Sequence, residues 1–173
     1  MKLFLTGYMG SGKSYIGKIL AKELSIPFID LDDQIVKMQG KKISEIFREK
    51  GEIFFRKLET EVLNNTLKNE NSMVIALGGG TPCYGNNLEL IKKDNQSKII
   101  YLKASVNFLT ERLYAEKDSR PVISHLDQKG DLEDFIRKHL FERSYYYLQA
   151  NQIINVEEKT PELIVEEIRQ NLQ

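Results

Sequence analysis

Gly7-Tyr8-Met9-Gly10-Ser11-Gly12-Lys13-Ser14, directly behind the apolar run Lys2-Leu3-Phe4-Leu5-Thr6, is the stretch from which the fold can be read. It fits G-x-x-x-x-G-K-[ST], the phosphate-cradling loop that joins a strand to a helix. The glycines let backbone N–H groups curl around a polyphosphate, and Lys13 can reach the outer phosphates. The Ser14 hydroxyl is of the type that ligates Mg²⁺. A strand pattern precedes the loop and a helix pattern follows it, as the mechanism requires. The reading is a bound nucleoside triphosphate.

Outward from the loop, short apolar runs alternate with amphipathic stretches, the signature of βαβ units around a parallel sheet. Strands are predicted at Leu3–Thr6, Pro27–Asp30, Met73–Leu77, Ile99–Leu102 and Gln152–Ile154. Most are apolar on both faces, so helices should cover both sides of the sheet. The first helix should run from the loop to about Leu24, with Ile16, Ile19, Leu20 and Leu24 on one face. A second, roughly Glu52–Lys68, offers Phe54, Leu58 and Val62 to the core. A third spans about Val106–Ala115. The last, near Pro161–Asn171, has Thr160 as N-cap and Pro161 at its first position. No repeat or linker interrupts the chain, which reads as one domain over 1–173. The polar segment from about 115 to 131, with Arg120, Pro121 and Gly130, breaks the rhythm and is read as a mobile lid, because phosphoryl transfer needs water excluded.

Composition narrows the classes. The 173 residues are 41% hydrophobic and 29% charged, which suits one domain with a sizeable core. Lys+Arg and Asp+Glu balance at 25 each, unlike a nucleic-acid footprint or an acidic tail. The single cysteine, Cys83, excludes an internal disulfide framework and fits a reducing compartment. The N-terminal apolar run is short for a signal peptide, and no run approaches membrane-spanning length. A cytoplasmic protein is expected.

Further candidates lie at predicted strand ends, where parallel α/β sheets place ligands. Asp30 and Asp32 follow the second strand, and such carboxylates can bind Mg²⁺ through water or accept a proton from an attacking hydroxyl. The alternative is that Asp32 or Asp33 caps the next helix. Gly78-Gly79-Gly80 follows the third strand and allows backbone to approach a ligand closely. Arg56 and Glu59 share a helix face at i, i+3. Arg143 lies in Phe141-Glu142-Arg143-Ser144 on another helix. Arginine's planar fork suits an anionic acceptor, although isolated arginines are more often solvated. The Tyr145–Tyr147 cluster reads as packing. His125 and His139 lack metal-ligand spacing, and Cys83 has no evident activating base.

Taken in order, Gly7–Ser14, Asp30-x-Asp32, Phe55-Arg56-x-x-Glu59, Gly78-Gly79-Gly80, Arg120-Pro121 and Glu142-Arg143 resemble the shikimate kinase family along nearly the whole chain. The resemblance implies a P-loop kinase fold of the nucleoside monophosphate kinase type, a three-layer α/β sandwich on a five-stranded parallel sheet ordered 2-3-1-4-5. It implies transfer of the γ-phosphoryl of ATP to the 3-hydroxyl of shikimate, with Mg²⁺ as cofactor, on the way to chorismate and the aromatic amino acids. Gly10, Ser11, Gly12, Lys13, Ser14 and Tyr15, with Arg112 and Arg120, would hold ATP. Ser14 and Asp30 would hold the metal. Asp32, Arg56, Glu59, Gly78, Gly79, Gly80 and Arg143 would bind shikimate, with Asp32 as candidate base. Lys13, Asp32 and Arg120 would be the catalytic set, Glu59 would orient both clamping arginines, and Arg120 would arrive with the lid. The family is mostly monomeric, with no nucleic-acid or membrane partner implied.

Three rival readings share parts of this pattern. A gluconate or nucleoside monophosphate kinase would share the loop and the fold. A GTPase-like switch would need an Asn-Lys-x-Asp type guanine site, which the chain lacks. A mechanical ATPase would want an apolar strand ending in Asp-Glu, whereas Met73–Leu77 ends in glycines. The acceptor-side arginines favour a carboxylate-bearing acceptor.

Overall fold

The computed structural model describes residues 1–117, 120 and 122–172. In chain order the elements are β1 (Lys2–Thr6), α1 (Lys13–Leu24), β2 (Phe28–Asp30), α2 (Leu31–Gln39), α3 (Ile43–Leu67), β3 (Met73–Ala76), a 3-10 turn (Thr81–Cys83), α4 (Asn87–Lys93), β4 (Ser97–Lys103), α5 (Val106–Glu116), α6 (Lys129–Tyr147), β5 (Gln152–Asn155) and α7 (Pro161–Gln170). All pairings are parallel and the strand order is β2-β3-β1-β4-β5. This is the order implied by the resemblance.

Every residue of β1 and β3 is buried. Successive side chains point to opposite faces, so these strands serve two cores at once. Leu3, Leu5 and Val74 join Ile16 and Leu20 of α1, Leu109 and Leu113 of α5, Ile136 of α6 and Ile164 of α7. Phe4, Met73 and Ile75 join Leu31 and Ile35 of α2, Leu58 and Val62 of α3, and Leu88 and Ile91 of α4. The first turn of α7 is capped as expected, with the Leu163 N–H donating to Thr160 Oγ1 at 3.3 Å.

Two details differ from expectation. Phe55 joins Leu58 and Val62 as the buried stripe of α3, while Phe54 is only partly buried against the same core. A break at Gly51 (φ 79°, ψ 172°) divides α3 just before the segment that carries this stripe. Within the expected lid, Asp118, Ser119 and Pro121 lie outside the described residues. Around them, α5 extends to Glu116, Ile123 is fully buried in the first core and α6 begins at Lys129, so the segment contributes to the core despite its polar composition.

The three strands β1, β2 and β3 end side by side. Their carboxyl ends deliver Gly7–Ser14, Asp30–Asp32 and Gly78–Gly80 to one crevice, which is how the topology positions the site.

Candidate active site

The loop is built on glycines that an L side chain could not replace without strain. Gly10 and Gly12 sit at φ +83° and +93°, in the left-handed region. Gly12 is also the N-cap of α1 and offers no side chain to its first turn, so N–H groups at the positive end of the helix stay available to an anion. Lys13 turns back over the loop, donating to the carbonyls of Gly7 (2.8 Å) and Tyr8 (3.0 Å). Burial pushes its ammonium down to about 8, against the pull of Asp32 and Asp30.

Asp30 settles the question of which aspartate caps α2. Its Oδ1 accepts from the Asp32 N–H at 3.0 Å, and its Oδ2 accepts from Ser14 Oγ at 2.5 Å. Asp30 is therefore both N-cap and partner of Ser14, and the carboxylates of Asp32 and Asp33 are not the cap. Asp32 points into the crevice, where burial first and then Asp30 and Glu59 raise its carboxyl to about 6. A cavity of about 290 Å³ is lined by Lys13, Ser14, Asp30, Asp32, Arg112 and Arg120 among others.

Past Asp32 the acceptor side begins. Glu59 is 1% exposed on the face of α3 towards the triple glycine. One of its oxygens accepts from Arg56 Nη1 at 2.6 Å and the other from Thr81 Oγ1 at 2.6 Å. Asn87 fixes the same turn, donating to the Thr81 carbonyl (2.9 Å) and accepting from Thr60 Oγ1 (2.8 Å). Glu59 thus ties Arg56 to the turn at Thr81. Arg143, on α6, is seated on aromatic groups: its guanidinium carbon is 5.6 Å from the Tyr8 ring centroid, and its charge acts on the Tyr147 hydroxyl. That hydroxyl in turn donates to the Gly79 carbonyl at 2.5 Å. Thr81, Asn87 and Tyr147 were not legible as site residues, because their roles depend on which turn α3 and α6 meet. Tyr147 is packed against Tyr101 with ring centroids 5.0 Å apart, so its packing role holds too.

None of the three glycines at 78–80 has a positive φ. What demands glycine here is space. A Cβ on Gly78 would lie 2.9 Å from Asp32 Oδ1, 2.9 Å from Thr81 Oγ1 and 3.0 Å from Glu59 Oε1. On Gly80 it would lie 2.7 Å from Arg56 Nη1, whereas on Gly79 its nearest neighbours are 3.6 Å away. Alanine at 78 or 80 must push aside groups that the site holds in place, separating the buried Glu59 carboxylate from a partner. Gly78→Ala and Gly80→Ala are expected to lose roughly 2 kcal/mol or more of stability. Gly79→Ala should stay within about 0.5 kcal/mol. Thermal denaturation of the three variants checks this ranking, and equal losses would contradict it.

On the nucleotide side, Arg112 lines both the 290 Å³ cavity and a neighbouring one of about 370 Å³ shared with Ser11, Gly12, Tyr15 and Phe108. The second cavity is closed by Val156, Glu158, Lys159, Thr160 and Pro161 from the segment between β5 and α7. Arg120 is engaged by Glu116, whose Oε2 accepts from its Nη2 (2.6 Å) and Nε (3.1 Å). Cys83 is a free thiol that burial holds up to about 11, which makes it a poor nucleophile.

The family model described as Shikimate kinase matches residues 9–173. A shikimate kinase of Flavobacterium psychrophilum is 46% identical over 171 residues, covering 99% of this chain and 98% of the relative. The crystal structure of shikimate kinase from Bacteroides thetaiotaomicron superimposes with a TM-score of 0.88 at 36% identity, covering 99% of this chain and 98% of the other. That of the Acinetobacter baumannii enzyme in complex with shikimate gives a TM-score of 0.88 at 30% identity, covering 99% and 92%.

Proposed function

The chain belongs to the shikimate kinase family and is an ATP-dependent shikimate kinase, and from that premise we propose how its residues divide the transfer of the γ-phosphoryl group to the 3-hydroxyl. The observation that carries the proposal is the polarity of the crevice. A lysine-bearing loop and an uncapped helix lie at one end, two seated arginines at the other, and a carboxylate with a raised pKa between them.

In this reading the amides of Gly10–Ser14 and the Lys13 ammonium bind the triphosphate. Tyr15 and Arg112 border the cavity that takes the rest of the nucleotide. Arg56 and Arg143 bind the shikimate carboxylate, and Gly79 and Gly80 present backbone to its ring. Asp32 accepts the hydroxyl hydrogen bonds and takes the proton of the attacking oxygen. Arg120 exchanges Glu116 for the transferring phosphoryl group, as the segment around it closes over the crevice. The protein's contribution is mainly position and charge, since phosphoryl transfer needs little covalent help.

Ser14 Oγ and the Asp30 carboxylate meet at the mouth of the loop and are the hard oxygen donors that Mg²⁺ takes. These residues fit the ion and would hold it, Asp30 through the ion's water shell. Bound there, Mg²⁺ supplies charge neutralisation to the phosphate oxygens. The reading is completed by a cytoplasmic monomer acting on two small molecules, with no nucleic acid or membrane. No helix among the described residues is long and apolar enough to cross a membrane.

The test is ADP release with shikimate, gluconate and the four nucleoside monophosphates offered separately. Turnover with shikimate alone is expected, and turnover only with another acceptor would overturn the reading. Arg143→Ala removes one charge-assisted contact to the carboxylate. It is expected to raise the shikimate KM about ten- to a hundredfold and to leave the ATP KM within about twofold. Equal effects on both constants, in steady-state assays with each substrate varied, would remove Arg143 from the clamp.

A further inference from the structure

Arg56 stands on a support that the roles above do not use. Its guanidinium carbon lies 3.8 Å from the centroid of the Tyr84 ring, a stacking distance, and 5.4 Å from that of Phe55. Glu52 accepts from Arg56 Nη2 at 3.1 Å and Nε at 3.3 Å. The Tyr84 hydroxyl, ahead of Arg56 itself, holds the Glu52 carboxyl below the ordinary range. Tyr84 and Glu52 thus flank Arg56 beside the Arg56–Glu59 pair.

The number of donors on Arg56 shows why this matters. A guanidinium carries five N–H groups. Nε, one N–H of Nη2 and one of Nη1 are engaged by Glu52 and Glu59, and two N–H groups are left for a ligand. Their direction is set by rotation of the guanidinium plane, and the stacked ring opposes that rotation together with these bonds. Glu52 and Glu59 offset the charge of Arg56, so its hold on an incoming carboxylate depends on how these two donors are aimed.

We propose that Tyr84 is a positioning residue for the acceptor carboxylate, its ring fixing the plane of the Arg56 guanidinium so that the two remaining N–H groups face the crevice. The proposal rests on the reading of Arg56 as a carboxylate contact. The Tyr84 ring also borders an open groove with Ile53, Lys57 and Gly85, so a smaller side chain there does not hollow out either core.

Shikimate binding measured by calorimetry tests the proposal on wild type, Tyr84→Phe, Tyr84→Leu, Arg56→Lys and the Tyr84→Leu/Arg56→Lys pair. Lysine keeps the charge beside Glu59 but has no plane to orient. Tyr84→Leu is expected to weaken shikimate binding roughly five- to thirtyfold, with ATP binding, measured in the same way, unchanged. Tyr84→Phe, which keeps the ring, should stay within about twofold of wild type. In the Arg56→Lys background, Tyr84→Leu should add nothing. Wild-type binding by Tyr84→Leu while Arg56→Lys binds weakly would overturn the positioning role alone, as would full additivity in the double variant. Wild-type binding by Arg56→Lys would overturn the clamp reading and the proposal with it.

Discussion

Lys13→Ala is expected to lower kcat/KM for ATP by about a thousandfold or more, the scale of losing one preorganised charge from a water-excluded site. Two properties of this lysine set that size. Its ammonium is buried on the Gly7 and Tyr8 carbonyls, so it is held over the loop before any phosphate arrives. Burial has also lowered its pKa to about 8, which leaves it charged at neutral pH but partly stripped of water. An alanine leaves both carbonyls without their donor, so a loss of activity could come from a collapsed loop. Lys13→Met keeps the stem but also lacks the donor, so the Tm of each variant is what separates the two causes. Equal inactivity in both variants, with a Tm within a few degrees of wild type, assigns the loss to the charge. The same lysine fixes an alkaline limb. In the free enzyme it loses its proton as pH rises through about 8, and kcat/KM for ATP should fall there. A profile flat to pH 9 would contradict this assignment.

Asp32→Asn should lower turnover with shikimate by about a hundred- to ten-thousandfold, the usual span for removing a general base. The variant should nevertheless be more stable than the wild type at neutral pH. The folded pKa of Asp32, about 6, lies above its ordinary value of 3.8, because burial and the neighbouring Asp30 and Glu59 disfavour the anion. For a carboxyl with a raised pKa, stability is greatest below the ordinary value and is lost as pH rises through the folded one. Asparagine imitates the neutral acid and should recover about 1–2 kcal/mol above pH 6, after allowance for partial exposure. Thermal denaturation at pH 7 and pH 4.5 reads this directly. The variant should gain at pH 7 and gain less at pH 4.5. In the wild type, kcat/KM for shikimate should fall as pH drops through about 6. Near-normal turnover in Asp32→Asn would remove the residue from the base role.

The parts of the site that were legible in the sequence share one property, which is that their function follows from position relative to a strand end. Gly7–Ser14 follows β1, Asp30 and Asp32 follow β2, and the triple glycine follows β3. A parallel sheet brings those three ends together whatever its side chains are. The depth of burial along α3 was less legible, since Phe54 and Phe55 both pack on the second core and only tertiary packing buries Phe55 the more deeply. Ile123 was hidden for a similar reason, being one apolar residue in a polar segment that nonetheless lies in the core.

By itself the sequence determined the phosphate loop, the parallel α/β class, the carboxylates and arginines available to an acceptor, and the family. These are properties of local pattern and of order along the chain. Tertiary structure alone decided which partner each charged group takes. Asp30 is shared between a helix cap and Ser14, Glu59 serves Arg56 and Thr81, and Arg143 is seated on Tyr8 and Tyr147. It also decided that glycine is needed at 78 and 80 for room and not for backbone freedom. Such choices depend on distances of a few tenths of an ångström between elements far apart in the chain. They are set only when both cores pack and leave each buried polar group a limited choice of partner.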